Sequence, residues 1–332
     1  MKKISIVFGL LLLIVLVFKF RTKDNTLDKT LSDFAVEDTS SITKVFLADK
    51  YDHTVVLNKV ENEWFVEGKY PIRKDALEYL LSTIKNVRVR HPVSNSLHDK
   101  IVKNLATSSV KIEIFTNDHK NAHKSYYIGG ESKDMIGSYM LLENSNRAFV
   151  VYLPGFNGFL APRYNIDGTV VNSDLWRDRT IYNLKAEEIA FINITNHTDT
   201  LASFKMERSD NQYFYTKENV TKSISNKNGE TYFSLFNQVY CEGFMNDFSK
   251  KDSIFSSEPL YTIEVRLINN QELKLYCYQK QSDQFNYSSL NNNELTYDTD
   301  RMYAKLNDDL VLIQYYIFDK ILLRSPNFSV EK

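Results

Sequence analysis

Two pairs of neighbouring carboxylates are the first residues of this chain that could do chemistry. Glu187–Glu188 and Asp308–Asp309 could supply a general acid and a general base if each pair faced a cleft that shifted its pKa values. Sequence neighbours usually point to solvent, so the glutamates more simply open a strand and the aspartates more simply form a turn. An envelope hydrolase acting on glycan or peptide stays open as an alternative, with its carboxylates brought together only by folding.

Two histidines have a spacing that can hold a metal. His119 and His123 are four residues apart, which suits a metal ion only on a helix. The surrounding stretch, Asn117 to Lys124, is a polar turn between strands, where that spacing does not converge. The chain also contains no Gly-x-Ser-x-Gly, His-Glu-x-x-His, Cys-x-x-Cys or Walker pattern. We therefore predict no catalytic residue, no metal site and no cofactor.

The best candidates for binding lie between Pro154 and Ile181. This stretch holds three of the 10 glycines and two of the 6 prolines, and it is too long for a simple connection. Its aromatic residues could anchor a partner, or they could fold back and seal the protein's own interior. A tryptophan in the run Trp176 to Arg179 has the same two interpretations. The predicted partner-binding residues are Phe156, Phe159, Leu160, Tyr164, Trp176 and Arg177.

Composition restricts the class of protein. The chain has 332 residues, 43% hydrophobic and 25% charged, which is typical of folded proteins with room for two domains. Its 41 basic and 42 acidic residues give a net charge of −1, so nothing indicates nucleic acid as a partner. The two cysteines, Cys241 and Cys277, are expected to be buried thiols, although pairing stays open.

The N-terminus predicts a membrane anchor. Met1-Lys2-Lys3 precedes an apolar run from Ile4 to Phe18, and basic residues follow it. The run ends without the small residues of a signal-peptidase site, so we predict an uncleaved signal anchor, a transmembrane helix at residues 1–21. A very short N-terminal tail usually stays in the cytoplasm, which would place the rest of the chain outside. Residues 22–40 are polar and predict a tether.

The rest of the chain repeats itself. The stretch Ile42 to Val66 is similar to Ile189 to Tyr215, and each predicts an antiparallel meander. A helical spacing follows in each copy, then two hairpins in the same order. The predicted fold class is α+β, with two duplicated units of antiparallel sheet and one or two helices each, behind the transmembrane helix. The units are residues 41–154 and 186–332, joined by a connecting segment at 155–185.

One known family resembles this pattern. Trp64-Phe65-Val66 followed by Tyr70-Pro71 and a Leu-rich helix, and later Leu175 to Arg179 before a new strand, look like the bacterial domain-of-unknown-function family numbered four-three-four-zero. The resemblance implies a tethered extracytoplasmic protein with repeated α+β units. It also implies a non-catalytic accessory role beside ABC-type exporters or gliding-motility machinery, and it carries over no catalytic residues.

We therefore expect a non-catalytic, membrane-anchored binding or scaffolding protein. The resemblance implies that it serves an ABC-type transport or motility assembly of the envelope, with the membrane and a transporter component as partners. The expected location is the bacterial inner membrane, with a single span and the body in the periplasm.

Overall fold

The computed structural model describes residues 32–117, 119–210, 212–287 and 294–323. The chain forms two compact units, Met1–Asp178 and Arg179–Lys332, so the division falls inside the predicted connecting segment 155–185. No helix among the described residues is both long and apolar enough to cross a membrane. The predicted anchor at residues 1–21 lies outside the described residues.

The first unit is built on a nine-stranded antiparallel sheet in the order β4-β3-β2-β1-β6-β7-β8-β9-β5. The strands are β1 (Ile42–Ala48), β2 (Thr54–Val60), β3 (Glu63–Val66), β4 (Tyr70–Pro71), β5 (Arg88–Pro92), β6 (Val110–Thr116), β7 (Lys124–Glu131), β8 (Ser138–Leu142) and β9 (Phe149–Tyr152). Two helices, α1 (Lys74–Asn86) and α2 (Asn95–Ser108), and a small hairpin of β10 (Ile166–Asp167) and β11 (Val170–Val171) complete it.

The second unit has its own nine-stranded sheet, in the order β16-β15-β14-β13-β19-β20-β21-β22-β18. The strands are β13 (Ile189–Asn196), β14 (Phe204–Ser209), β15 (Gln212–Lys217), β16 (Val220–Ile224), β18 (Gly243–Phe244), β19 (Tyr261–Leu267), β20 (Glu272–Tyr287), β21 (Glu294–Leu306) and β22 (Asp309–Gln314). A separate pair joins β12 (Thr180–Tyr182) to β17 (Val239–Tyr240), and the helices are α3 (Asn226–Phe233), α4 (Lys251–Ser256) and α5 (Tyr315–Ile321).

The two sheets have the same topology down to a local irregularity. Matching β13 to β1 reproduces the whole strand order, and a bulge interrupts the pairing between Ile42 and Lys44 in one copy. The other copy has its bulge between Ile189 and Phe191. Shared order and a shared bulge support duplication of a single unit, because bulges are specific features of a sheet.

The cross-strand pair beside each bulge exchanges its members between the copies. In the first unit Lys44 pairs with Phe115, and the Lys44 Nζ lies 3.6 Å from the ring centroid. In the second unit Phe191 pairs with Arg266, whose guanidinium carbon lies 4.8 Å from the ring centroid. The cation and the ring have changed strands, and the cation–π contact is present in both units.

Each sheet has one face on the main core of its unit and an outer face. Val45 and Leu47 of β1 are fully buried, and α1 covers this core face with Ala76, Leu80 and Ile84. The outer face is covered over β8 by α2, through a smaller cluster that contains Ile101 and Leu105 beside Tyr139 and Leu141 of that strand. Neither of these two hydrophobic clusters places a described helix on the outer face of β1 to β3.

The second unit repeats this arrangement. Tyr232 and Phe233 of α3 belong to its main core, together with Phe318 of α5. The short helix α4 packs on the outer face, where the Phe255 ring lies 6.2 Å from that of Tyr278. One close approach depends on a glycine: a Cβ on Gly229 of α3 would come within 2.1 Å of the Tyr213 ring.

The predicted fold class is wrong. We expected α+β units of antiparallel sheet with one or two helices each behind a transmembrane helix, whereas the described chain is mainly antiparallel sheet, with two nine-stranded sheets, few helices and no described helix able to span a membrane. The reason lies in the composition: the chain has 21 Tyr and 21 Phe residues, and aromatic side chains favour strands. The helical spacing seen at Tyr232 to Val239 covers only the end of α3, a 3₁₀ turn and the start of β17.

The folded unit begins inside the predicted tether. Phe34 is 2% exposed and packs edge-on against Tyr126 and Phe149, at centroid distances of 5.9 and 6.1 Å. The Lys124 Nζ donates to the Asp33 and Ala35 carbonyl oxygens and pairs with the Asp33 carboxylate at 2.9 Å. The last part of segment 22–40 is therefore fastened to the first sheet.

Replacing Phe34 with alanine should destabilise the first unit by about 3–5 kcal/mol, because a buried ring is lost and a cavity remains. Both tryptophans of the chain, Trp64 and Trp176, lie in the first unit, so denaturant titration followed by Trp fluorescence measures its unfolding. The matched control is Phe159→Ala, which removes a ring that is 36% exposed. Equal losses for the two variants would contradict the fastening role of Phe34.

Candidate binding surfaces

The structure places most of the predicted partner-binding residues inside the first unit. Leu160, Tyr164 and Trp176 are completely buried and belong to its main core, and Arg177 is also buried. Phe156 is half-buried against that core, and Phe159 is exposed. The interpretation that these residues fold back on their own unit therefore accounts for four of the six. Partner binding by Phe156 and Phe159 stays a prediction.

Polar contacts fix the segment that carries these residues. The Leu160 amide donates to the Ser138 hydroxyl at 2.9 Å, and the Tyr164 and Tyr126 hydroxyls are hydrogen-bonded at 3.0 Å. Burial raises the pKa of Tyr164 far above its usual value, so both phenols of this pair stay neutral.

The Trp176–Asp178 stretch closes the free edge of β4. The Arg73 amide donates to the Trp176 carbonyl and the Asp178 amide donates to the Pro71 carbonyl, both at 2.8 Å. The Arg177 guanidinium lies 3.6 Å from the Tyr70 ring centroid and pairs with Asp174 at 3.0 Å. Such a covered edge cannot pair with another strand, so this stretch protects the sheet.

One half-buried cation stands out on this segment. Arg163 lies close to two aromatic rings, with its guanidinium carbon 5.1 Å from the Tyr79 centroid and 5.2 Å from the Phe156 centroid. Its Nε donates to the Thr83 hydroxyl at 2.7 Å. Tyr79 is 57% exposed, so a cation framed by aromatic side chains is presented beside α1.

The outer face over β1 to β3 differs in polarity between the two units. Phe46 pairs across strands with Val56, and both are half-buried on the outer face of the first sheet. The same cross-strand position in the second sheet holds Asn193 and Lys205. Phe46 and Asn193 occupy equivalent positions, because each pairs with a glutamate on the neighbouring strand: Phe46 with Glu113, and Asn193 with Glu264.

A third aromatic residue extends the apolar face of the first unit. Phe65 of β3 pairs with Asn58 and is half-buried on the same side as Phe46 and Val56. We call Phe46, Val56 and Phe65 the outer patch. The equivalent positions of the second sheet keep one ring, Phe214, which pairs with Glu207. The outer patch is therefore apolar at two positions where the same fold is satisfied with polar residues.

Charged side chains on these outer faces form ion pairs. In the first unit the Lys111 Nζ lies 2.7 Å from carboxylate oxygens of both Glu113 and Glu143, and its hydrogen bond to Glu113 contributes most to raising the pKa of Lys111. In the second unit the hydrogen bond from Lys274 is the main cause of the lowered pKa of Glu264. These groups are therefore held in ion pairs on the outer face of each sheet.

One carboxylate of each pair considered for acid–base chemistry accepts a local hydrogen bond. Glu188 accepts a hydrogen bond from the Lys185 amide at 2.8 Å, and Asp309 accepts one from the Asn246 side chain at 2.8 Å. Two open polar depressions meet at Asp33, His123 and Lys124, where Lys124 already holds Asp33. Within the described residues no group of three or more His, Cys, Asp or Glu side chains could hold a metal ion.

Sequence reasoning missed the outer patch although a signal existed. Aligning the two copies strand by strand puts Phe46 beside Asn193 and Val56 beside Lys205, a contrast that is visible without coordinates. The Arg163 surface had no such signal, because Tyr79 and Phe156 are brought together only by the folded chain.

A comparison with known families identifies the family of this chain. The family described as "Domain of unknown function (DUF4340)" matches residues 64–253, more than half of the chain. The chain belongs to this family. The resemblance drawn from Trp64-Phe65-Val66 and the Leu-rich helix is thereby confirmed. No curated protein and no solved structure matches the chain.

Both cysteines of this family member are buried thiols. Cys277 is fully buried and Cys241 is 4% exposed, and neither forms a disulfide. Burial raises the pKa of Cys277 well above its ordinary value, which keeps the sulfur protonated. The thiolate is the reactive form, so this sulfur is protected both by access and by charge.

We expect the native chain to react with less than a tenth of its thiols when treated with Ellman's reagent at pH 8, and with both thiols after unfolding in guanidinium chloride. The reason is the burial of both sulfurs together with the raised pKa of Cys277. A Cys277→Ala variant should release one thiol on unfolding. Rapid native labelling at either position would show that the second core is open.

Proposed function

We propose that this chain is a non-catalytic binding or scaffolding protein held at a bacterial membrane, where it serves an ABC-type transport or motility assembly of the envelope. The apolar run Ile4 to Phe18 supports membrane attachment, and the kind of assembly is the one that the family resemblance of the sequence implies. The body is placed on the periplasmic side in this proposal. A binding role is supported above all by the outer patch of the first unit.

The second unit serves as an internal reference for what the fold requires. Asn193 and Lys205 show that polar side chains are compatible with these two positions. Phe46 and Val56 are therefore not explained by folding alone, since half-buried apolar side chains gain little from a face that water reaches. Apolar surface kept where the fold tolerates polarity is typical of a contact with another protein.

The chemistry around the outer patch fits a protein partner. Aromatic residues are enriched where interfaces bury their centres, and polar groups form the rim. Here two rings and a valine are flanked by the ion-paired cluster of Lys111, Glu113 and Glu143, one basic and two acidic side chains. This cluster gives the patch the polar rim that protein interfaces have.

Giving the first unit the residues of its copy should abolish partner binding without unfolding it. In the double variant Phe46→Asn/Val56→Lys we expect a change in the Trp-fluorescence unfolding midpoint equivalent to no more than about 1 kcal/mol, since the second unit folds with these residues. The full chain, tagged and cross-linked in its host, would be recovered from solubilised membranes and its partners identified by mass spectrometry. We expect an ABC-type transporter or motility component with the unmodified chain and at least a tenfold loss with the variant.

Val220→Lys is the matched control, because it makes the same change at a valine that is 56% exposed in the second unit. This control should retain the partner. Undiminished capture by the double variant would remove the outer patch from the proposal. Capture of no transport or motility component by the unmodified chain would contradict the proposed assembly itself.

A further inference from the structure

We infer that Arg163 forms a receptor site for a single carboxylate group of a protein partner. The site lies beside α1, which covers the core face of the first sheet, whereas the outer patch lies on the opposite face. The inference therefore does not depend on the outer patch, and either site can fail without the other.

A hydrogen bond to Thr83 holds the Arg163 guanidinium in one orientation. The Thr83 hydroxyl is fully buried, donates to the Tyr79 carbonyl at 2.6 Å and accepts from the Arg163 Nε at 2.7 Å. With its proton committed to the Tyr79 carbonyl, Thr83 meets Arg163 as an acceptor and fixes the Nε edge of the guanidinium. The two Nη groups point away from that edge because the guanidinium is planar.

Two aromatic rings lie close to this guanidinium. Tyr79 comes from α1 and Phe156 from the loop before the 3₁₀ turn Ala161–Tyr164, and both centroids lie about 5 Å from its central carbon. Rings at this distance attract the cation through their faces and leave hydrogen bonding to the edge of the guanidinium. A carboxylate meeting the Nη edge would accept two parallel hydrogen bonds.

The positive charge has no partner among the described residues. The ion pairs of the described chain do not include Arg163, and its hydrogen bond there is the one from Nε. The acid Asp75, which like Tyr79 belongs to α1, is paired with Arg73. An oriented cation without an anion is complementary to an incoming negative group.

The surrounding backbone is rigid enough for this role. The Arg163 amide donates to the Leu160 carbonyl, and Asn165 ends the turn in a left-handed conformation with φ of 48°. Leu160 and Tyr164, on either side of Arg163, are buried and anchored. A preorganised donor loses little conformational entropy when the ligand arrives.

One carboxylate fits the site better than a phosphate group. The framework supplies a single cation with apolar walls, which balances one negative charge, whereas a phosphate near neutral pH carries close to two. The carboxylate could come from a glutamate or aspartate side chain or from a C-terminal residue. These two sources share the same chemistry and are separated by experiment.

The test uses the full chain labelled with ¹⁵N-arginine and the Nε–Hε resonance of Arg163, assigned by its disappearance in Arg163→Met. The probes are N-acetylglutamate α-amide, which has only a side-chain carboxylate, N-acetylalanine, which has only a terminal one, and inorganic phosphate, all at constant ionic strength. We expect saturable shifts with at least one carboxylate probe, and the tighter probe identifies the source. Arg147→Met, which removes an exposed arginine of the same unit, should change nothing.

A second variant tests the aromatic frame. Tyr79→Ala keeps the guanidinium but removes one wall, and we expect its dissociation constant for the better probe to rise roughly two- to fivefold. An unchanged constant would show that the ring does not position the cation. Absence of a saturable shift with both carboxylate probes, or tighter binding of phosphate, would overturn the inference.

Discussion

The bulge at the start of β1 and of β13 controls which side chains of each unit face its core. Strand side chains alternate between the two faces, so the register after the bulge sends Val45 and Leu47 inward and Phe46 outward. A slip by one residue would exchange the two sets and expose the apolar residues of the sheet. Core, helix packing and outer patch therefore all depend on this local feature.

The two units show which parts of the design are constrained. Strand order, bulge position and a cation–π pair beside the bulge occur in both, although Lys44 and Phe115 exchange roles as Phe191 and Arg266. An exchange of this kind preserves the interaction while altering both residues. The outer patch is different, because Phe46 and Val56 are replaced in the second unit by the polar residues Asn193 and Lys205. The apolar pair is therefore a feature of the first unit alone.

Sequence reasoning succeeded where the signal was local and failed where it depended on distant contacts. The repeated strand runs and the family were visible because alternation and the Trp64-Phe65-Val66 pattern are short-range. The α+β class was wrong because strands dominate both units, and an apolar spacing of three and four residues also occurs where a helix such as α3 gives way to a turn and a strand. The burial of Tyr164 could not be seen, because its hydroxyl partner Tyr126 is 38 residues earlier.

The burial of Phe34 limits how far the first unit can lie from a membrane. If the transmembrane helix predicted at residues 1–21 sits in a lipid bilayer, residues 22–33 are all that connects the bilayer to the first sheet. Even fully extended, those residues cover at most about 43 Å. The first unit would then search only a thin shell above the lipid surface, so any protein that it meets must itself protrude into that shell.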